Sequence, residues 1–348
     1  MAGATPKLIK ELREMTGAGM LDCKNALNET DGDLDKAVQA LREAGLGKAA
    51  KKAGNVAAEG VIAVKVNADN TVATMLELNA QTDFVAKNEN FLNLTQEIVT
   101  HVQDNNIADA DALAVSTING TSFSDFLNGK IATIGENLVA RKVVTITGTV
   151  VNAYVHTNGR VGVLLAATCD AAAKDKATAL LKSLAMHASA MKPTVISYTD
   201  LDPAFVDSEN RAIVAEIIAD NEELVRLGKP LKNIPDFVSK SQLTDAAIAT
   251  AKAAFEAELK EQGKPEKIWA NIIPGKIERY ITDNTQLDGR FALLSQAYVM
   301  DDKKTVEQAI ADVDASIKIT EYIRFELGEG IEKVEEDFAA EVAKQMGK

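Results

Sequence analysis

The sequence predicts an α+β fold, and three patterns carry that expectation. Near the N-terminus apolar residues recur every three or four positions, the period of an amphipathic helix, and after Asn55 the period drops to two, the period of a strand. A unit of two strands and a helix then occurs twice along the chain. A long, purely helical stretch follows the second copy.

Residues 5–46 read as three short helices. Leu8 and Leu12, then Met20, Cys23, Ala26 and Leu27, then Leu34, Ala37, Val38 and Leu41 give each segment one apolar stripe. Gly17, Gly19 and Asp31-Gly32 punctuate them, and Asp33 is placed to cap the third. So small a unit buries little surface by itself, which suits a docking module joined to something larger. Residues 45–55, with Lys48, Lys51 and Lys52, read as a solvated linker.

Residues 61–66 and 72–78 alternate as strands around a polar turn at 67–70, which makes a hairpin. A helix over about 84–104 places Phe91, Leu94, Ile98 and Val102 on one face. The pattern returns in 143–146, 150–155 and 161–166, with a turn at Thr157-Asn158-Gly159 and a helix over about 171–190. At the strand-to-helix junction, Asp83-Phe84-Val85-Ala86-Lys87 recurs as Asp170-Ala171-Ala172-Ala173-Lys174, so the core is expected to be a duplication. From about 204 to 264, Ile213, Ile217, Leu224 and Leu227 form one stripe, and Ile248, Ala251, Phe255 and Leu259 a second. Pro230 and Pro235 separate them, so the simplest structure is an antiparallel coiled-coil hairpin inserted into the second copy. Helices over 268–280 and 305–313, a strand over 317–327 and a terminal helix over 332–346 complete the chain.

The 348 residues include 51 acidic against 38 basic, a formal net charge of −13. Nucleic acid or an anionic membrane would require a positive footprint instead. With 46% hydrophobic and 26% charged residues the composition is that of a globular protein, not of a disordered or collagen-like one. Cys23 and Cys169 offer neither a disulfide framework nor metal-ligand spacing. The N-terminus lacks the pattern of a signal peptide, and no run of about 18 apolar residues is available to cross a bilayer, so a cytoplasmic location is expected.

His101, His156 and His187 are scattered, without a nucleophile elbow, P-loop or paired-histidine motif. No catalytic residue, no metal site and no cofactor is therefore expected, and an enzyme is the minority reading. His101 and His187 fall late in helices, where the helix dipole or core packing accounts for them. His156 sits beside a hairpin turn, where it either packs on the turn or faces a partner. The glycine-rich junction at 327–331 is ringed by Glu326, Glu329, Glu332, Glu335 and Glu336, which would repel a phosphate, so it reads as a turn.

At Thr82-Asp83-Phe84-Val85 two readings compete. Thr82 or Asp83 caps the following helix, and Phe84 staples it to the core. The duplicate argues against the staple, because a large apolar residue demanded by architecture should recur and Ala171 stands in its place. Phe84 is therefore expected on the surface beside a carboxylate, a binding wedge on a rigid junction.

These residues also carry a resemblance. Met15-Thr-Gly-Ala-Gly-Met20, Asp22-Cys23-Lys24, residues 48–58, Gln81-Thr-Asp-Phe-Val-Ala-Lys87, Met186-His-Ala-Ser189 with Lys192-Pro193, and residues 323–334 with 337–342 resemble, in order, the bacterial elongation factor Ts family. Members of that family are guanine nucleotide exchange factors for elongation factor Tu. The chain departs from shorter members in length, near 105–140 and 204–265. The resemblance implies a three-helix ubiquitin-associated-like domain and linker over 1–55 and core subdomains over 56–142 and 143–330. It also implies a coiled-coil insertion at about 204–264 and a C-terminal helical module over 331–348.

The resemblance further implies that Thr82, Asp83, Phe84 and Val85 enter the G domain of elongation factor Tu near the nucleotide and dislodge its magnesium ion, and that GTP then displaces the chain. Leu21 and Lys24, on the second helix, would grip the same domain, Leu21 being core in the alternative reading. The turn at His156 would face a second domain of the partner. On this account no nucleic acid, membrane or small-molecule substrate is bound directly, and exchange is a shift of coupled equilibria, not catalysis by a side chain. The reading from another class is a protein-binding adaptor built on the ubiquitin-associated-like domain, without exchange activity.

Overall fold

The computed structural model describes residues 4–157 and 159–332. The chain divides into two compact units, Met1–Leu164 with Ile323–Lys348, and Leu165–Tyr322. The fold is α+β, with the core built on small antiparallel sheets. The expected terminal helix over 332–346 lies outside the described residues except for Glu332.

In the first unit the chain runs α1 (Pro6–Thr16), α2 (Met20–Glu29), α3 (Leu34–Lys52), β1 (Glu59–Val66), β2 (Val72–Ala80), α4 (Asp83–Ala86), α5 (Glu89–Asp104), α6 (Ala110–Ala114), β3 (Thr117–Ile118), β4 (Thr121–Ser122), α7 (Phe123–Ile134), β5 (Val139–Thr147) and β6 (Val150–His156), and then enters β7 (Val161–Thr168). Leu12, Cys23, Ala26, Leu27 and Ala37 close the core of α1 to α3, as their spacing predicts. Thr5 caps α1 and Asp33 caps α3, while Gly17, at φ 68°, ends α1 in the left-handed conformation that favours glycine.

The expected linker over 45–55 is instead helical as far as Lys52. Gly45 and Gly47 do not break the helix because Gly45 is a packing site: a Cβ there would stand 3.4 Å from the Cβ of Ala132 on α7. Ala49 is buried in the same seam, and Arg42 forms an ion pair with Asp125 at the start of α7.

The first sheet has the order β1-β2-β5, all antiparallel. α5 lays Phe91, Leu94, Ile98 and Val102 on it, the face read from the sequence. Residues 143–146, which the sequence attaches to the second copy, belong here: β5 pairs with β2, setting Val143 opposite Leu76 and Thr145 opposite Thr74. Only Gly148 and Thr149 separate β5 from β6, so proximity along the chain hides the long-range pairing.

Glu77 on β2 is fully buried and accepts two 2.8 Å hydrogen bonds from the Arg141 guanidinium, one from Asn79 at 3.0 Å and one from the Gly328 N–H at 2.9 Å. The glycine-rich junction is therefore a turn anchored to this carboxylate. Gly328 has φ +73°, and a Cβ there would lie 2.8 Å from the Ala58 carbonyl oxygen.

The second unit continues from β7 through a short 3₁₀ turn (Ala171–Ala173) into α8 (Lys174–Met191), α9 (Pro203–Arg226), α10 (Asp245–Glu261), α11 (Trp269–Asp283), α12 (Gln286–Phe291), β8 (Ala297–Tyr298), β9 (Asp301–Thr305), α13 (Val306–Val313) and β10 (Lys318–Glu326). The second sheet has the order β10-β7-β6. Each copy is thus a hairpin, a helix and a distant third strand that pairs with the second strand of the hairpin. The repeat read from the sequence lacks that third strand.

The helical stretch also differs from the expected hairpin of α9 with α10. α10 pairs with α11: Phe255 meets Tyr280 edge-on at 6.2 Å, Lys276 bonds Glu258 at 2.7 Å, and Leu259 is fully buried. α9 uses its stripe elsewhere, packing Val206 and Ile213 with Val238 and Leu287, and Phe205 against Phe291. The reason is chemical: Lys276 sits over the Phe255 ring as well as on Glu258, which ties α10 to its C-terminal neighbour.

Candidate functional site

The β2-to-α4 junction presents the most exposed aromatic side chain among the described residues. Phe84 is 83% exposed, whereas Val85 packs partly against the core of the first unit and Ala86 is buried within it. α4 has only four residues, too few to hold itself. Thr82 supplies its cap, accepting from the Val85 N–H at 3.4 Å.

A second clamp comes from residues far along the chain. Glu136, just past α7, accepts from the Gln81 N–H at 3.1 Å, the Thr82 N–H at 3.0 Å and the Thr82 hydroxyl at 2.6 Å. The neighbouring Asn137 donates its N–H to the Gln81 side-chain oxygen at 2.8 Å, and that oxygen also accepts from Asn55. The junction is a fixed turn with one aromatic ring projecting from it.

Asp83 does not cap the helix. It is half-exposed and bonds Lys87 at 2.6 Å on the same turn. The hydrogen bond from Lys87 holds its carboxyl below the usual carboxylate range.

The duplicate junction keeps the architecture and omits the projecting ring. Ala173 is buried as its counterpart Ala86 is, and Ala171 lies exposed at the place of Phe84. Asp170 makes no side-chain cap there, and its N–H donates to Ser316.

Leu21 and Lys24 lie on α2, both exposed, with Leu21 at 69%; the core alternative for Leu21 is therefore set aside. Met15 and Met20 are exposed on the same domain, so its surface carries three large apolar side chains around the Gly17–Gly19 turn. His156 is exposed at the end of β6, with its Nδ1 2.9 Å from the Tyr154 hydroxyl. The structure gathers Thr82 to Val85 into one turn and leaves Leu21, Lys24 and His156 on other elements of the first unit. Sequence reasoning missed Glu136 and Asn137, because nothing local marks a carboxylate that acts on residues 54 positions earlier.

Of the remaining histidines, His101 ends α5 beside Ser116, and His187 is buried. Among the described residues no group of three His, Cys, Asp or Glu side chains is arranged to hold a metal ion, and no helix is long and apolar enough to cross a membrane.

Comparison with known proteins gives a match to one family. The profile of the family described as Elongation factor TS matches residues 81–234 and 232–329. Elongation factor Ts of Aliarcobacter butzleri (strain RM4018) is 80% identical over 348 residues, covering 100% of both chains. Elongation factor Ts of Campylobacter fetus subsp. fetus (strain 82-40) is 56% identical over 97% of this chain and 98% of its own, and that of Wolinella succinogenes 51% identical over 100% of each.

Proposed function

We propose, since this chain belongs to the elongation factor Ts family and so to the elongation step of protein biosynthesis, that it binds GDP-loaded elongation factor Tu and drives out the nucleotide through the β2-to-α4 junction. The observation that carries this reading is the exposure of Phe84 on a turn fixed from both sides, against Ala171 at the duplicate. In the proposed complex Phe84 wedges into the G domain, and Asp83 brings negative charge toward the magnesium site. Thr82 and Val85 hold the turn from which both project.

The exposed surface of the three-helix domain, with Leu21 and Lys24, grips the same domain of the partner. His156 faces a second domain. The remaining domain divisions follow the family's plan: the three-helix domain, the duplicated core and a C-terminal module.

The chain needs no catalytic base for this. A partner that binds the nucleotide-free state more tightly than the GDP state must weaken GDP binding by the same factor. GTP then reverses the process and releases the chain. This is exchange by binding, in a cytoplasmic setting, without a cofactor and without direct contact with nucleic acid.

Release of a fluorescent GDP from purified elongation factor Tu tests the reading. Added chain should raise the release rate in a saturable manner. An adaptor that binds only through the three-helix domain would leave the rate at its unaided value.

A further inference from the structure

From the geometry at the end of α7 we infer that Glu136 is a positioning residue for exchange, holding the wedge turn in its working orientation without touching the partner's nucleotide. The inference rests on the proposed role of the Thr82–Val85 turn and assigns its control to a residue on a different element.

A single helical turn fixes too few hydrogen bonds to offset its own ordering. The backbone of α4 is held locally by bonds from Ala86, Lys87 and Asn88 back to Thr82, Asp83 and Val85, at 3.2, 3.1 and 2.9 Å. Its direction must therefore be imposed from outside. Val85 and Ala86 anchor one side in the core.

Glu136 anchors the other. One of its oxygens takes the N–H groups of both Gln81 and Thr82, and the other takes the Thr82 hydroxyl. That hydroxyl in turn accepts from the Val85 N–H, so the carboxylate, the cap and the first turn form one chain of hydrogen bonds that ends beside Phe84. Hydrogen bonds to an ionised acceptor are the strong kind.

The donors are also well placed to need it. Gln81 and Thr82 are half-buried, and these two N–H groups lie before the first turn of α4, where no helical carbonyl is available to accept from them. Asn137 fixes the neighbouring side chain of Gln81 and, through its own amide, the carbonyl of Asn55. The result is a three-way bracket that leaves Phe84 free of intramolecular support but with a fixed base.

A double-mutant cycle on the full chain tests this. Glu136→Ala and Glu136→Gln are each made with Phe84 present and with Phe84→Ala, and release of fluorescent GDP from elongation factor Tu is measured at saturating chain and at half-saturation. Glu136→Ala should slow saturated release about tenfold, the effect of losing charged hydrogen bonds that orient a binding side chain. Glu136→Gln, which keeps one carbonyl oxygen for the two N–H groups, should recover most of that loss. The half-saturating concentration should move less than about twofold.

In the Phe84→Ala background both substitutions should cost far less, because they act through the turn that carries the ring. Equal losses in both backgrounds would show a general structural role and overturn the inference. So would wild-type release rates for both variants while Phe84→Ala alone is slow, a result that leaves the wedge itself intact. If the unsubstituted chain does not accelerate release at all, the wedge and its positioning fall together. Should Glu136→Ala fail to fold, Glu136→Asp, whose carboxylate is one methylene too short to reach all three donors, carries the same comparison, with its loss expected only where Phe84 is present.

Discussion

Phe84 has 83% of its surface in water, so its removal should cost the fold almost nothing. Exposed substitutions away from caps and glycines shift stability by about 0.5 kcal/mol or less, whereas truncating a core phenylalanine costs about 3–5 kcal/mol. The melting temperature of Phe84→Ala should therefore match that of the unsubstituted chain, and a large drop would place the ring in a core it does not occupy. Asp83→Asn should also leave the melt unchanged, because the cap is the Thr82 hydroxyl and Asp83 only pairs with Lys87 along the surface. The folded carboxyl of Asp83 lies below its ordinary range, so the pairing persists at neutral pH and is lost only as pH falls through that depressed value. If slower GDP release accompanies an unchanged melt at pH 7, Asp83 acts on the partner. At this scale the sequence was readable where the duplicate supplied a control, as Ala171 does for Phe84. It was silent at Glu136, whose bonds reach across the fold to residues with no sequence pattern in common with it.

Among the elements, His187 on α8 couples stability to pH. It is fully buried, with Nε2 2.9 Å from the Gln296 side-chain oxygen and Nδ1 accepting from the Val299 N–H at 3.2 Å, so the neutral ring fits and a second ring proton has no acceptor. Burial pushes its pKa below the ordinary 6.5. Because the unfolded chain binds that proton more readily, stability is full above about pH 6.5 and declines as pH falls toward the depressed folded value. Thermal melts between pH 7 and 5 should show this loss, and His187→Gln should flatten it. An equal slope in the variant would assign the loss to other groups.

Packing of the hairpins gives a second prediction. A Cβ at Gly162 would stand 2.5 Å from both Ile62 Cγ2 and Met75 Sδ, so Gly162→Ala should destabilise by about 1–3 kcal/mol in a denaturant titration. The helical stretch gives a third. Val206 and Ile213 of α9 belong to a buried cluster, while Asn221 closes the distal loop on itself by bonding both the N–H and the carbonyl of Lys232. Replacing residues 219–233 by a short linker should keep a cooperative melt, and excising all of 204–264 should not. The apolar stripes made each helix legible, but stripes do not name their partners. α10 chose α11 through Phe255 of its stripe together with Lys276 and Tyr280, side chains that the stripes leave out.

At the scale of the whole molecule, a fixed turn displays one aromatic ring. The duplicated core supplies two related junctions, and only the first carries an exposed aromatic ring and a carboxylate clamp from a distant element. The duplication could be read from the hairpins and the repeated Asp-to-Lys junction. The pairing of its third strands could not, since β5 and β10, though legible as strands, pair with strands that lie far back in the sequence. If binding energy is what expels GDP, the factor by which the chain weakens GDP on elongation factor Tu must equal the factor by which GDP weakens the chain. Titrations of the chain against nucleotide-free and GDP-loaded partner should therefore close that cycle. The most direct measurement is the saturated rate of GDP release from elongation factor Tu driven by Phe84→Ala. If Phe84 is the wedge, that rate falls about tenfold or more below that of the unsubstituted chain, the loss expected of a central buried aromatic anchor, with the melt unchanged. A rate equal to that of the unsubstituted chain would contradict it and move the exchange site away from this junction.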